Sequence, residues 1–485
     1  MKRLRVAIDP RLKEIYNPEI CWVLRLLLSS FGWCWEEVFG NSTECDIAYF
    51  LDFDRAPKCR CFIQANLPLW QNRSKIRLDN IKESSGCAYP IYTGGYHHQH
   101  NYENENGCII IPRDIIFDIF WLVTGQEELH WPSNKHGQFD LTGTILTKKQ
   151  ILRRALASDI GLKLQEYILQ WELPLPIPRW PGNKQAAACM GHDVDYPEVI
   201  RWLEPLRIIR RQGIQGIRPA SSVLFGKKDH WNFESWVKME KSLNIHSAFY
   251  FVARKGSLLK YASGTPDPFY DIWDNRFRQL FKYLQSEHFE IGLHASYLAF
   301  ESRDNFETEK KSLEEASGQR IDGNTHHYWH LNPKDPESTL LVQQEIGLKY
   351  DTSLVHKRYV GWRRGISWPF FPFYQKERRE LEILEIPVVW MDDQLFGDRQ
   401  DNPGDRFEIL RALTDTALKQ GGCIMVDIHN YVFDEILFPE WAKTYRKLLE
   451  YISSSSQFWV DTPVNIANHW IKRYKSIISD SIGLS

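Results

Sequence analysis

Beyond Gln185 the chain alternates between short apolar strand candidates and amphipathic helical stretches, a pattern that leaves few folds open. The strand candidates read "AAACMG", "SAFYFV", "FEIGLH", "RIDGNT", "ILEIPVVW", "GCIMVDIH" and "FWVDT". Helical periodicity fills most of the gaps. In "NRFRQLFKYLQSEHF", Phe277, Leu280, Phe281 and Leu284 follow the i, i+3, i+4, i+7 rule of one buried face, and Trp441, Tyr445, Leu448, Leu449 and Ile452 repeat it. Strands separated by helices cannot pair as tight hairpins, so this order predicts a parallel sheet covered by helices, closed as a barrel or left open. Seven or so units over roughly 300 residues match a distorted (β/α)7-8 barrel.

The sharpest break in the chain precedes that region. "WELPLPIPRWPGNK", Trp171 to Lys184, carries four prolines, which regular helices and interior strands do not tolerate. A chain of 485 residues also exceeds the size at which single cores stop growing. Two domains are therefore expected: 1–175, a smaller mixed α/β domain of unknown role, and 176–485, the barrel. In the front domain the spacing predicts a helix over Pro18 to Ser30, a strand in "CDIAYFLDF" and a helix from Leu152 to Gln170.

Charge narrows the partners. Lys and Arg number 60 against 62 Asp and Glu, a formal net charge of -2, which argues against a polyanion binder and hence against nucleic acid. The most apolar zone, Ile109 to Val123, is interrupted by Pro112, Arg113, Asp114 and Asp118 and falls short of the roughly 18 apolar residues of a membrane span. The opening "MKRLRVAIDPRLKEIY" lacks the apolar stretch of a signal peptide, so a cytoplasmic location is expected. Nine cysteines without a CxxC pair suit reduced thiols; Cys59 and Cys61 form only a CxC and read as buried or inert.

The chemistry lies at the strand ends, because in parallel α/β folds the loops after the carboxyl ends build the site. The first barrel strand ends in His192, Asp193 and Asp195; another ends in "GLHASY" with His294; the next runs into "THHYWH" with His326, His327 and His330; a later one ends in "VDIHN" with Asp427 and His429. Each alone has a bland reading, a hydrogen-bonded loop histidine or an N-capping aspartate. Four such endings at one end of one sheet point to a site. One Asp and two His suit a borderline divalent metal with positions left open. In an extended segment Asp193 and Asp195 share a side and His192 faces away, which makes His192 a bystander.

These residues resemble the polysaccharide deacetylase family. The spaced "HDVD" is similar to its first motif, "GLHASY" to its second and "IMVDIHN" to its last. Specific stretches, "GLHASY", "HHYWH", "GWRRGISWPFFPF" and "LEIPVVWMD", resemble a bacterial branch associated with cell-surface polysaccharide biosynthesis, and "FDIFWLVTGQEE" a marker of that branch's front domain. The resemblance implies a barrel of the polysaccharide deacetylase type that removes N- or O-linked acetyl groups from an acetylated glycan or sugar-linked precursor. It assigns Asp193 as general base, Asp195, His294 and His327 as metal ligands, and His429 as the acid. Arg363 would restrain Asp193 or contact substrate, with Arg364 the weaker candidate. The metal would be divalent, zinc first, with cobalt, nickel, iron or manganese as alternatives.

Two positions depart from the pattern. The general family writes its second motif HxxxH, and here the fourth residue after His294 is Leu298. Thr325 and His330 flank "HHYW" where the branch has arginines, so His326 and His330 compete with His327 for the third ligand position. A backbone N–H near Tyr328 would hold the oxyanion, and a carboxylate such as Asp427 would support His429. Tyr328, Trp329 and Trp362 are the candidate substrate contacts, with Trp368 and Trp390 as further sugar platforms. Competing readings keep the fold and cleave a cyclic imide or ureide C–N bond, or make the chain a catalytically silent glycan-binding protein. A glycoside hydrolase would need two carboxylates and no metal, against the abundance of His at strand ends.

Overall fold

The computed structural model describes residues 3–38, 44–84, 87–94, 107–134, 136–198, 204–226, 229–397 and 404–482. Two parallel sheets organise the chain. The first is built from β1 (Leu4–Ile8), β2 (Trp35–Glu37), β3 (Ile47–Phe50), β4 (Cys61–Gln64) and β5 (Ile109–Ile111), in the order β2-β1-β3-β4-β5. All its pairs are parallel, the arrangement of a doubly wound sheet. These strands run three to five residues, too short to show a period, and only β3 is legible in the sequence, inside the longer stretch "CDIAYFLDF".

The first helix, α1 (Pro10–Phe31), starts eight residues earlier than Pro18 suggests. Asp9 caps it and Pro10 occupies its first turn, while Pro18 lies inside, two residues past a non-helical Tyr16 (φ -117°, ψ 17°). The zone Ile109 to Val123 is β5 followed by α2 (Ile115–Val123), whose residues are all buried. Among the described residues no helix is long and apolar enough to cross a membrane. The helix placed at Leu152 to Gln170 is α3 (Leu156–Ile168), broken at its start by Ala155 with φ 48°.

The second sheet is the expected barrel. Its strands are β6 (Ala186–Val194), β7 (Ala248–Phe251), β8 (Glu290–Ala295), β9 (Gly323–His326), β10 (Tyr350–Asp351), β11 (Leu384–Glu385), β12 (Val388–Met391), β13 (Cys423–Asp427) and β14 (Phe458–Val460). They run β11-β10-β9-β8-β7-β6-β13-β12, with β14 added beside the first half of β6. The two edge strands, β11 and β12, are consecutive in sequence. Only Ile386 and Pro387 separate them, so their facing ends lie within about 11 Å, and the sheet has to curl until its edges meet. Pro387, which has no N–H, stands where the ladder stops. "ILEIPVVW" is thus two strands rather than one, and the two-residue β10 is the one strand of this sheet absent from the sequence reading.

Aromatic rings fill the space between strands where glycines leave room. A Cβ on Gly191 would stand 2.8 Å from the Tyr250 ring, and one on Gly292 2.4 Å from it; one on Gly323 would strike Tyr350. The two hydroxyls lie 3.1 Å apart, and Tyr350 donates to Glu290 at 2.6 Å. The Pro-rich segment is largely non-regular, and the apolar core continues from the first sheet's helices into the barrel. Trp22 of α1, for example, donates its indole N–H to Phe371 O at 3.0 Å.

Candidate active site

Parallel strands with aligned registers deliver their last residues to one rim, and that is where the polar residues gather. Asp193 and Asp195 leave the end of β6, His294 ends β8, His327 follows β9 and His429 follows β13. All five are buried, with 1 to 8 % of their surface exposed.

Asp195 is the hub. One carboxylate oxygen lies 3.3 Å from His294 Nε2 and 3.5 Å from His327 Nε2; the other lies 3.4 Å from His429 Nε2. Asp193 approaches His294 Nε2 at 3.6 Å. One ligand atom each from Asp195, His294 and His327 falls within 4.8 Å of the other two. His294 Nε2, His327 Nε2, Asp195 Oδ1 and Asp193 Oδ1 are buried without any hydrogen-bond partner. Buried polar atoms are normally satisfied, so the three orphans on Asp195, His294 and His327, which converge on one another, fit a cation coordinated between them.

The far side of each ring supports the same reading. His294 Nδ1 lies 2.6 Å from Thr325 O, to which it donates as N–H, and His327 Nδ1 lies 3.1 Å from Asp267 Oδ1. Both contacts engage Nδ1 and leave Nε2 as the nitrogen aimed inward, the usual arrangement behind a metal-ligating histidine. Burial would raise the Asp195 carboxyl, but the His327, His294 and His429 rings hold it well below the usual carboxylate range. Burial opposes the charged His327 ring, yet Asp195 and Asp267 bring it to about 9. Asp193 is pushed well up by burial and by the Asp427 carboxyl beside it.

The other two histidines of "THHYWH" face elsewhere. His326 packs its ring on Phe306 and Phe300, and His330 stacks on Tyr297 with centroids 3.9 Å apart while meeting Tyr297 O at 2.7 Å. His192 turns away from the rim to Glu240, 2.7 Å distant, between Phe249 and Trp236.

His429 has a support the sequence reading missed. Its Nδ1 lies 2.8 and 3.1 Å from the two oxygens of Asp392, and the second of these, Oδ2, also accepts its backbone N–H at 2.8 Å. Asp392 opens the short helix α4 (Asp392–Phe396) directly after β12. Asp427, the expected partner, sides with Asp193 instead. Against the cost of burial, Asp392 and Asp195 raise His429 well above its ordinary value, which keeps the ring protonated. The acidic pair directly after the strand end "PVVWM" was a visible signal for Asp392. Asp267 lies in an irregular loop, "GTPDPFY", with no periodicity to flag it.

Arg363 goes elsewhere than expected. Its guanidinium forms two 2.8 Å hydrogen bonds to Glu128 and a third, at 3.2 Å, to Val355 O, so all its nitrogens are committed away from Asp193. Arg364 bonds Glu337 at 2.9 Å and lies 3.6 Å from Glu128. Glu128 belongs to "TGQEE" of the front segment, so "GWRRG" anchors that segment to the barrel. Burial would raise the Glu128 carboxyl, but Arg363 and Arg364 hold it at about 2. A folded-state value below the ordinary 4.5 means that this pair's stabilisation is present above pH 4.5 and lost as pH falls from 4.5 to 2. Glu128→Gln leaves two buried arginines short of a carboxylate and should cost about 3–5 kcal/mol at neutral pH. Thermal unfolding should show the gap between variant and parent narrowing between pH 5 and pH 3.

The tryptophans also correct the expectation. Trp362, Trp368 and Trp390 are fully buried and Trp329 is 4 % exposed, so none offers a ring face to a sugar. Tyr328 is the half-buried member of the predicted set, its ring 5.2 Å from Lys357 Nζ. Tyr328 and Trp329 both take the left-handed backbone, φ 58° and 49°, at a cost of order 1–3 kcal/mol each that surrounding structure has to hold. Strain at the residues directly following His327 marks a constrained backbone rather than a slack loop.

A pocket of about 320 Å³ opens beside this rim, lined by Tyr196, Asp393, Tyr431 and Trp441 among others. Tyr431 packs on His429, ring centroids 4.9 Å apart.

No protein-family model and no curated protein matches this sequence. Similar solved chains include a probable polysaccharide deacetylase from Pseudomonas aeruginosa PAO1, 18 % identical, covering 62 % of this chain and 95 % of that one with a TM-score of 0.41. PuuE allantoinase, also 18 % identical, covers 62 % and 94 % at a TM-score of 0.40. A variant of the peptidoglycan deacetylase PdaC from Bacillus subtilis, 9 % identical, covers 62 % and 98 % at 0.30.

Proposed function

We propose that the chain is a metal-dependent hydrolase that removes N- or O-linked acetyl groups from a glycan or glycan precursor, with its chemistry in residues 176–485. The observation that carries this reading is the convergence of the Asp195, His294 and His327 ligand atoms, flanked by Asp193 on one side and the His429–Asp392 pair on the other. Asp195, His294 and His327 would hold a divalent cation, zinc first, which supplies Lewis acidity toward the acyl carbonyl.

The remaining steps belong to the chain's own groups. Asp193 Oδ1, buried and unpartnered, accepts a proton from the attacking water. The backbone at Tyr328, fixed by its left-handed conformation, donates to the oxygen that gains charge. His429, held protonated and oriented by Asp392, passes its proton to the leaving nitrogen or oxygen. Base and acid stand on opposite sides of the Asp195 carboxylate, Asp193 beside His294 at one oxygen and His429 at the other.

The test is elemental analysis of the purified protein followed by a screen for acetate release from N- and O-acetylated sugars. About one divalent ion per chain and acetate release are expected. Asp193→Asn should lower kcat by about 10²- to 10⁴-fold while leaving metal content intact. Turnover of a cyclic ureide with no acetate released from any glycan would overturn the assignment of the bond. Glycan binding with neither activity would overturn catalysis itself.

A further inference from the structure

A turn of the front segment reaches the rim of this site. Asn134 Oδ1 accepts the backbone N–H groups of His136, at 2.8 Å, and of Gln138, at 3.1 Å. Asn134 also donates its side-chain amide to Gln138 Oε1 at 3.0 Å. With Oε1 engaged, the Gln138 amide has one orientation, and its Nε2 donates to the backbone carbonyl of Tyr328. Gln138 is 4 % exposed, so a buried side chain of the front segment meets the half-buried residue after His327.

Neighbouring contacts lead to the same place. His136 Nδ1 meets the Tyr297 hydroxyl at 2.7 Å, and its ring lies 5.1 Å from that of Tyr328. Tyr297 follows His294 by three residues, and its backbone N–H donates at 2.7 Å to Asp267 Oδ1, the oxygen that also meets His327 Nδ1. Gly137 lets the turn come this close: its φ is +67°, and a Cβ there would stand 2.9 Å from Pro333 and 3.4 Å from His330.

We infer that Gln138 is a positioning residue for the site, clamping the left-handed Tyr328–Trp329 backbone, so that the front segment is a working part of the catalytic unit. This rests on the reading of the site given above. Two consecutive non-glycine residues with positive φ relax unless something holds them, and the carbonyl between them is the group that Gln138 holds. The clamp acts through Tyr328 on the His327 ring and on the oxyanion donor.

The experiment uses the full-length protein with Gln138→Glu, which keeps the shape and removes the donor, and with Gly137→Ala, which leaves the amide intact and pushes the turn outward. In both variants kcat should fall about 10- to 100-fold while KM stays within about twofold. Cobalt loaded in place of the native ion should bind at unchanged stoichiometry with a shifted visible spectrum, reporting the altered His327 geometry. Backbone amides of residues 328–331 should exchange with deuterium faster than in the parent.

A Gln138→Glu protein with the parent's kcat and cobalt spectrum overturns this inference alone. So does a variant whose only change is a lower Tm. A parent chain that binds no metal and turns over nothing overturns the site reading, and this inference with it.

Discussion

Asp195→Ala and His294→Ala each should reduce bound divalent metal from about one per chain to near zero and bring acetate release to background. The size of the effect follows from geometry. Three ligand atoms within 4.8 Å of one another make up the proposed metal site, and removing one leaves two, below the three protein ligands typical of catalytic zinc. Asp195 should be the more severe, since the same carboxylate also lies against His429. Asp195→Ala should also lower stability in metal-free buffer, because it leaves the buried His327 and His429 rings without the carboxylate that holds them charged. Elemental analysis, acetate assay and thermal melts of the same preparations check all three statements. Full metal content together with full activity in both variants would remove the assignment.

Asp392→Ala should match a direct His429 substitution in kcat, about 10²- to 10⁴-fold down, although Asp392 touches no substrate in the proposed mechanism. The carboxylate meets His429 Nδ1 and accepts the His429 backbone N–H. Without it the ring loses both its orientation and the group chiefly responsible for keeping it protonated. The sign of the pH effect follows. With the acid's proton affinity lowered, activity should fall away at a lower pH on the alkaline limb than in the parent. Metal content should be unchanged, because neither residue is among the three ligands. Asp427→Asn, which alters the carboxylate beside Asp193, should instead change the acid limb. A pH–rate profile of kcat for the two variants separates these roles.

Arg363 illustrates what spacing cannot supply. An arginine after "GW" near a catalytic region could pair with any of several buried carboxylates, and Coulomb attraction is indifferent to which. The fold places Glu128 of the front segment against it at 2.8 Å, and Arg363 becomes an anchor. The same holds for the histidines of "THHYWH". Three rings within five residues are chemically equivalent on paper, and the turn after β9 sends His326 into apolar packing, His330 onto Tyr297 and His327 to the rim. Trp362 and Trp390 were ambiguous for a related reason. An aromatic ring serves a core and a sugar face equally well, and only burial tells them apart.

What the sequence by itself determined is whatever local periodicity and chain order control. Apolar strands alternating with amphipathic helices dictate parallel pairing, parallel pairing puts every carboxyl end on one rim, and the residues ending those strands, Asp193, Asp195, His294 and His429, therefore had to converge. Alternation along β6 likewise sent His192 away from the two aspartates. What only the tertiary structure decided is who stands behind each of them. Asp392, Asp267 and Gln138 lie 37, 60 and 190 residues from the groups they hold. Such contacts depend on how loops with no period of their own pack across the rim, and a one-dimensional pattern does not encode those distances.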